Sequence, residues 1–130
     1  MKKKCIQTID LENGLQLNIF DNSKKIAGDR FYVCVIVSVE VEVNKKWFDN
    51  KEIDDDRLSY FKKLIGTTAL FEKKKERNFI DARKKDQTVE YLRKSIVNTI
   101  AGYLAHKDFP KKLILKKAGE AEKKNPGLFP

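Results

Sequence analysis

The chain holds one histidine, two cysteines, one tryptophan and six glycines in 130 residues. Catalysis through an activated serine or cysteine needs a neighbouring base, most often histidine. His106 is the sole candidate, and its place at the end of an expected helix suits a residue favouring the helix dipole. A zinc centre needs three or four nitrogen or sulfur ligands at suitable spacing. Cys5, Cys34 and His106 are too scattered for that, so no metal is expected. The glycines stand apart, which excludes G-x-G-x-x-G and Walker-type phosphate loops and the nucleotide enzymes that use them. No catalytic residue and no cofactor is therefore expected, and the protein reads as a non-enzyme.

Long apolar runs are also missing. None approaches the ~18 residues that span a bilayer, and the basic start Met1–Lys4 is not followed by the apolar stretch of a signal peptide. The sequence predicts a cytoplasmic protein with no membrane contact. Cys5 and Cys34 agree, since both fall in expected strands where a reduced thiol acts as a small hydrophobe.

Charge is abundant. Hydrophobic residues make up 41% and charged residues 36%, with a net charge of +9. The length suits one domain, expected over residues 1–124 with a flexible tail over 125–130. Residues 1–57 carry 10 basic against 11 acidic side chains, and residues 58–130 carry 18 against 8. The basic character thus belongs to the second half.

Periodicity supplies the elements. Lys4–Leu11 and Leu15–Phe20 read as strands joined by Glu12-Asn13-Gly14, whose Asn-Gly pair predicts a type I′ hairpin turn. Asp21–Asp29 reads as a loop. Phe31–Val43 places Phe31 and six valines on one face in strict alternation, the signature of a strand. Its other face turns from apolar to acidic at Glu40 and Glu42, which predicts cover on both sides only in the first half. Those glutamates mark either an edge guarded against pairing or a dimer seam. One of Asp54, Asp55 and Asp56 caps a helix carrying Leu58, Phe61, Leu64 and Ile65, which ends at Gly66. Thr67–Phe79 opens with β-branched residues and reads as a strand, from which Lys73, Lys75 or Arg77 would face Glu40 and Glu42. A long helix starts between Ala82 and Gln87 and runs to about Ala105, with Val89, Leu92, Ile96, Ile100, Tyr103 and Leu104 on its core face. Asp108 and Pro110 open a last helix. The expected order is β-β-β-α-β-α-α, an α+β fold with an antiparallel sheet of about four strands and two to three helices packed on one face.

Two constellations suggest partners. Trp47-Phe48, embedded in an acidic segment, reads either as a lid on the core or as an aromatic anchor for a protein partner. Lys73, Lys75, Arg83, Lys84, Lys112 and Lys116 offer contacts to nucleic-acid phosphates or another anion, although acids interrupt the runs and lysines far outnumber the arginines that base readout favours. A non-enzymatic binding or adaptor domain acting through a protein partner is the leading expectation, with nucleic-acid association through the basic half as the alternative. The acids of 49–56 read as helix caps and a solvated loop. Arg93 lies near the apolar stripe of its helix and either snorkels past the core edge or sits in an anion pocket or a buried pair.

Asn13-Gly14-Leu15 with Gly28-Asp29-Arg30, then Arg77-Asn78-Phe79-Ile80-Asp81, then Phe109-Pro110-Lys111-Lys112, together resemble a small uncharacterised family of bacterial proteins. The resemblance implies a shared fold and carries no activity or site residue with it.

Overall fold

The structure is a computed structural model that describes residues 4–49 and 52–124. The elements are β1 (Lys4–Asp10), β2 (Gln16–Asp21), β3 (Lys24–Ala27), β4 (Arg30–Glu42), α1 (Asp55–Ile65), β5 (Thr68–Asp81), α2 (Lys85–Ala105) and α3 (Phe109–Lys124). Short 3-10 turns at Lys45–Trp47 and Ala82–Lys84 follow β4 and β5. The fold is α+β with an open antiparallel sheet, as the alternation and capping signals predict. The sheet has five strands, and the additional one, β3, falls in the segment expected to be a loop. The expected tail over 125–130 lies outside the described residues.

The chain divides into two compact units. The first comprises residues up to Val39 together with Glu72–Ala105, and the second comprises Glu40–Phe71 and residues from His106 onward. β4 and β5 each contribute to both.

In the first unit β1 and β2 form the expected hairpin, with Ile9 opposite Leu17. Its turn differs from the type I′ expectation, which needs positive φ at two successive residues. Gly14 has φ 88, and Asn13 is not among the positive-φ residues. Leu11 N–H donates to Leu15 C=O (2.8 Å) and Gly14 N–H to Leu11 C=O (3.0 Å), which closes a three-residue loop ending in a left-handed glycine.

β2 and β3 share one register against β4: Asp21 lies opposite Val35 and Lys24 opposite Tyr32. They therefore lie end to end along the same edge of β4, interrupted at Asn22-Ser23. The ladder runs through the break. Asn22 N–H donates to Cys34 C=O (2.9 Å), and Cys34 N–H donates to the Ser23 hydroxyl (3.0 Å) in place of a backbone carbonyl. The Asp21 carboxylate holds the bend by accepting from Ser23 N–H (2.9 Å). Lys24-Lys25-Ile26-Ala27 lacks period-two alternation, so tertiary pairing with β4 makes it a strand.

The first-unit core joins Leu17, Ile19, Val33–Val37 and Val39 of the sheet to Leu92, Ile96 and Leu104 of α2, all at most 4% exposed. α2 packs on β2. Burial on both faces over 33–37, and exposure of Glu40 and Glu42, match the pattern read from the sequence.

In the second unit the Asp54 side chain caps α1 by accepting from Arg57 N–H (2.8 Å), and Gly66 with φ 84 ends it. α1 and α3 pack together. Val41, Val43, Phe48, Phe61, Ala69, Phe109, Ile114 and Ala118 form the core. Val43 N–H donates to Thr67 C=O (2.9 Å), so antiparallel pairing sets Glu40 and Glu42 beside the first residues of β5. Two basic residues further along meet other groups: Lys75 donates to Ser95 Oγ (3.0 Å), and Arg77 to its neighbour's carbonyl at Glu76 (2.7 Å). Among the described residues no helix is long and apolar enough to cross a membrane.

Candidate functional site

A group of exposed basic residues lies at the hairpin end of the first unit, where β3 turns into β4 at Gly28-Asp29. Ala82 N–H donates to Asp29 C=O (2.7 Å), which ties the end of β5 to that turn. Asp81 is the hub. Its carboxylate accepts from Arg83 Nη2 (3.1 Å), Arg83 Nε (3.2 Å) and Arg30 Nη1 (3.3 Å), and from Arg83 N–H (2.9 Å). These contacts, with the Arg83 guanidinium first, lower the Asp81 pKa to about 2. The same pairing raises the pKa of Arg83.

Around this hub the segments 24–32 and 76–86 carry seven basic against four acidic side chains. Lys24, Lys25, Arg77 and Lys84 are exposed. Lys24 Nζ lies 5.7 Å from the Tyr32 ring centre and Lys85 Nζ 5.3 Å from that of Phe31. Tyr32 donates its hydroxyl to Glu76, which holds the phenol protonated and raises its pKa. Two large apolar side chains stand open at the same end, Ile26 of β3 and Phe79 of β5, the latter 72% exposed. Phe79 also has φ 56, the one positive φ outside glycine among the described residues.

Arg83 and Lys84, named from the sequence, fall in this group. Lys73 is exposed on β5, and Lys75 is half-buried against Ser95. Lys112 and Lys116 are exposed on α3 of the second unit. The sequence reading missed Lys24, Lys25, Arg30 and Phe79. The Gly28-Asp29 turn was the available signal for the first three, since it folds their segment back on β4. The left-handed backbone of Phe79 leaves no mark in the residue pattern.

Of the aromatic pair, Phe48 is buried, 6.3 Å between ring centres from Phe61. Trp47 is half-buried and donates its indole N–H to Glu42 C=O (2.9 Å), with Lys46 Nζ 4.7 Å from its ring centre. Of the pair, Trp47 alone therefore keeps exposed surface.

The acidic segment that follows has local work. Glu52 accepts from Asp49 N–H (2.8 Å) and from Lys111 Nζ (2.9 Å), which lower its pKa in that order. Asp55 pairs with Lys45 (3.1 Å). His106 Nδ1 accepts from Asp108 N–H (3.1 Å). Both thiols are free, with Cys5 exposed and Cys34 buried. Among the described residues no group of three or more His, Cys, Asp or Glu could hold a metal ion.

An open cleft of about 430 Å³ lies between β1 and α2, lined by Ile6, Gln7, Asp86, Val89, Glu90 and Arg93. Arg93 binds Glu90 through Nε (2.9 Å) and Nη2 and reaches Gln7 Oε1 through Nη1 (2.5 Å). This settles Arg93 as an ion-paired clamp of α2 onto β1. The Arg93 guanidinium lowers the pKa of Glu90.

No protein-family model matches the chain, and comparison with curated proteins and with solved structures finds no match.

Proposed function

We propose that this protein is a non-enzymatic binding module that takes up nucleic acid through the basic hairpin end of its first unit. The observation that supports this reading is that Lys24, Lys25, Arg77 and Lys84, all exposed, are carried by strands and a turn tied together at Asp81, which Arg30 and Arg83 already occupy. Exposed cations on a scaffold held by β-ladder bonds meet the regularly spaced phosphates of a polyanion with little rearrangement. Burial of Phe48 removes half of the aromatic anchor that favoured a protein partner. In the cleft between β1 and α2 the Arg93 guanidinium is already taken by Glu90 and Gln7.

The test is fluorescence anisotropy with labelled oligonucleotides across a salt series. With three or four phosphate contacts, affinity for a single strand falls about 20- to 50-fold between 50 and 200 mM salt. Replacing Lys25 and Lys84 together by Gln weakens binding and flattens the slope of log K against log salt by about 1.4. Replacing Lys112 and Lys116 of α3 by Gln leaves both nearly unchanged. Absence of binding at 50 mM salt, or a salt slope indifferent to Lys25 and Lys84, refutes the proposal.

A further inference from the structure

Phe79 combines two unfavourable properties. Its ring is 72% exposed, and its backbone sits at φ 56, a region that aromatic residues rarely occupy. Asn78, a residue type that enters this region readily, stands next to it in the strand, yet the left-handed residue is the phenylalanine. Backbone conformations of this kind persist where their surroundings over-determine them, and they cluster at functional positions. Here the surroundings are explicit. Two residues on, Asp81 is fixed by Arg30 and Arg83, and Ala82 is bonded to the β3–β4 turn.

The ring therefore stands on a pinned stretch of chain whose sequence places Arg77 two residues before it and Arg83-Lys84 four and five residues after it. An exposed aromatic face beside a track of cations suits a strand whose bases are unpaired, because every base has a π-face and the backbone follows the charge. Bases inside a duplex are already stacked, so a protruding ring reaches a base face there only by unstacking a step, at a cost in free energy. An acidic peptide or an anionic lipid surface would use the cations and gain far less from a single ring. Resting on the nucleic-acid reading above, we infer that Phe79 is a stacking platform for one base of a single-stranded nucleic acid, and that this module selects single strands over duplexes.

Anisotropy at 50 mM salt would compare a single strand of about 12 nucleotides with the duplex of the same length, a span within the range that small single-strand-binding domains cover. The proteins are the wild type, Phe79→Gly, Phe79→Leu and Phe79→Trp, each also melted thermally. Removal of the ring in Phe79→Gly should lower single-strand affinity about 5- to 100-fold and alter duplex affinity less than about twofold. Its melting temperature should match or exceed that of the wild type, because glycine accepts φ 56 freely. Phe79→Trp should retain the preference for single strands, and Phe79→Leu, apolar but without a π-face, should lose it. Equal affinity for single strand and duplex, or a Phe79→Leu protein that binds as tightly as the wild type, overturns the stacking inference. In that outcome a continued response to Lys25 and Lys84 leaves the electrostatic reading standing. No binding of either nucleic acid, or tighter capture by anionic lipid vesicles, overturns both.

Discussion

Ser23 closes a gap in the ladder between β4 and the β2–β3 edge, and its hydroxyl is the acceptor for Cys34 N–H at 3.0 Å. Cys34 is 1% exposed. Ser23→Ala removes the acceptor and keeps the backbone, so the cost is that of one hydrogen bond plus partial desolvation of the orphaned N–H. A net bond contributes about 0.5–1.5 kcal/mol, and a buried unsatisfied donor costs about 1–3 kcal/mol. Ser23 is only half-buried, so water reaches the gap in part, and a loss of about 1–2 kcal/mol is expected. In urea, with m of about 2 kcal/mol per M, the unfolding midpoint should fall by about 0.5–1 M at unchanged m. Amide exchange gives a local readout, since Cys34 N–H should exchange faster while Val35 and Val37 stay protected. Ser23→Thr keeps the hydroxyl and should restore both. Wild-type stability in Ser23→Ala, with Cys34 still protected, would refute the view that this side chain bridges β2 and β3.

Two further outcomes follow from the same geometry. Asp54→Ala removes the α1 cap and should cost about 0.5–2 kcal/mol in chemical denaturation, whereas Asp54→Asn should lose little because it caps as well. Acid stability should depend on Asp81. Its folded pKa of about 2 lies below the ordinary value of 3.8, so its stabilisation is complete above the ordinary value and disappears as pH falls toward 2. Glu52 and Glu90, both lowered from 4.5, begin to lose theirs slightly higher. Denaturation midpoints between pH 5 and 2 should decline, and Asp81→Asn should flatten the lowest part of that decline. An unchanged profile would show that the Arg83 and Arg30 contacts with Asp81 do not persist in solution.

Elements whose partners are close in sequence, or whose faces differ sharply, were legible in the residues alone. β4 announces itself by thirteen alternating positions, α1 by Asp54 and Gly66, and α2 by its apolar stripe. β3 was illegible because nothing in Lys24-Lys25-Ile26-Ala27 alternates; its strand character comes from β4. The type I′ expectation failed for a related reason. Asn-Gly permits several turns, and the register of β1 against β2 selects the three-residue loop. At the site, the basic character of 83–84 could be read directly. The meeting of Asp29 and Arg30 with residues 81–83 depends on strand pairing across about fifty positions. Phe79 looked like an ordinary strand aromatic, and only its φ angle sets it apart.

The division of the chain into two units bears on how it can be made and cut. Neither unit is a contiguous stretch: each is assembled from two segments, and the chain passes between them after Val39, after Phe71 and after Ala105. No single truncation can therefore liberate either one intact. During synthesis the segments of the first unit are all available once Ala105 has emerged, while Glu40–Phe71 must still wait for α3. Domains fold as units in order of emergence, so a ribosome-stalled chain ending shortly after Ala105 would expose Phe61 of α1, because α3, on which α1 packs, is still unmade.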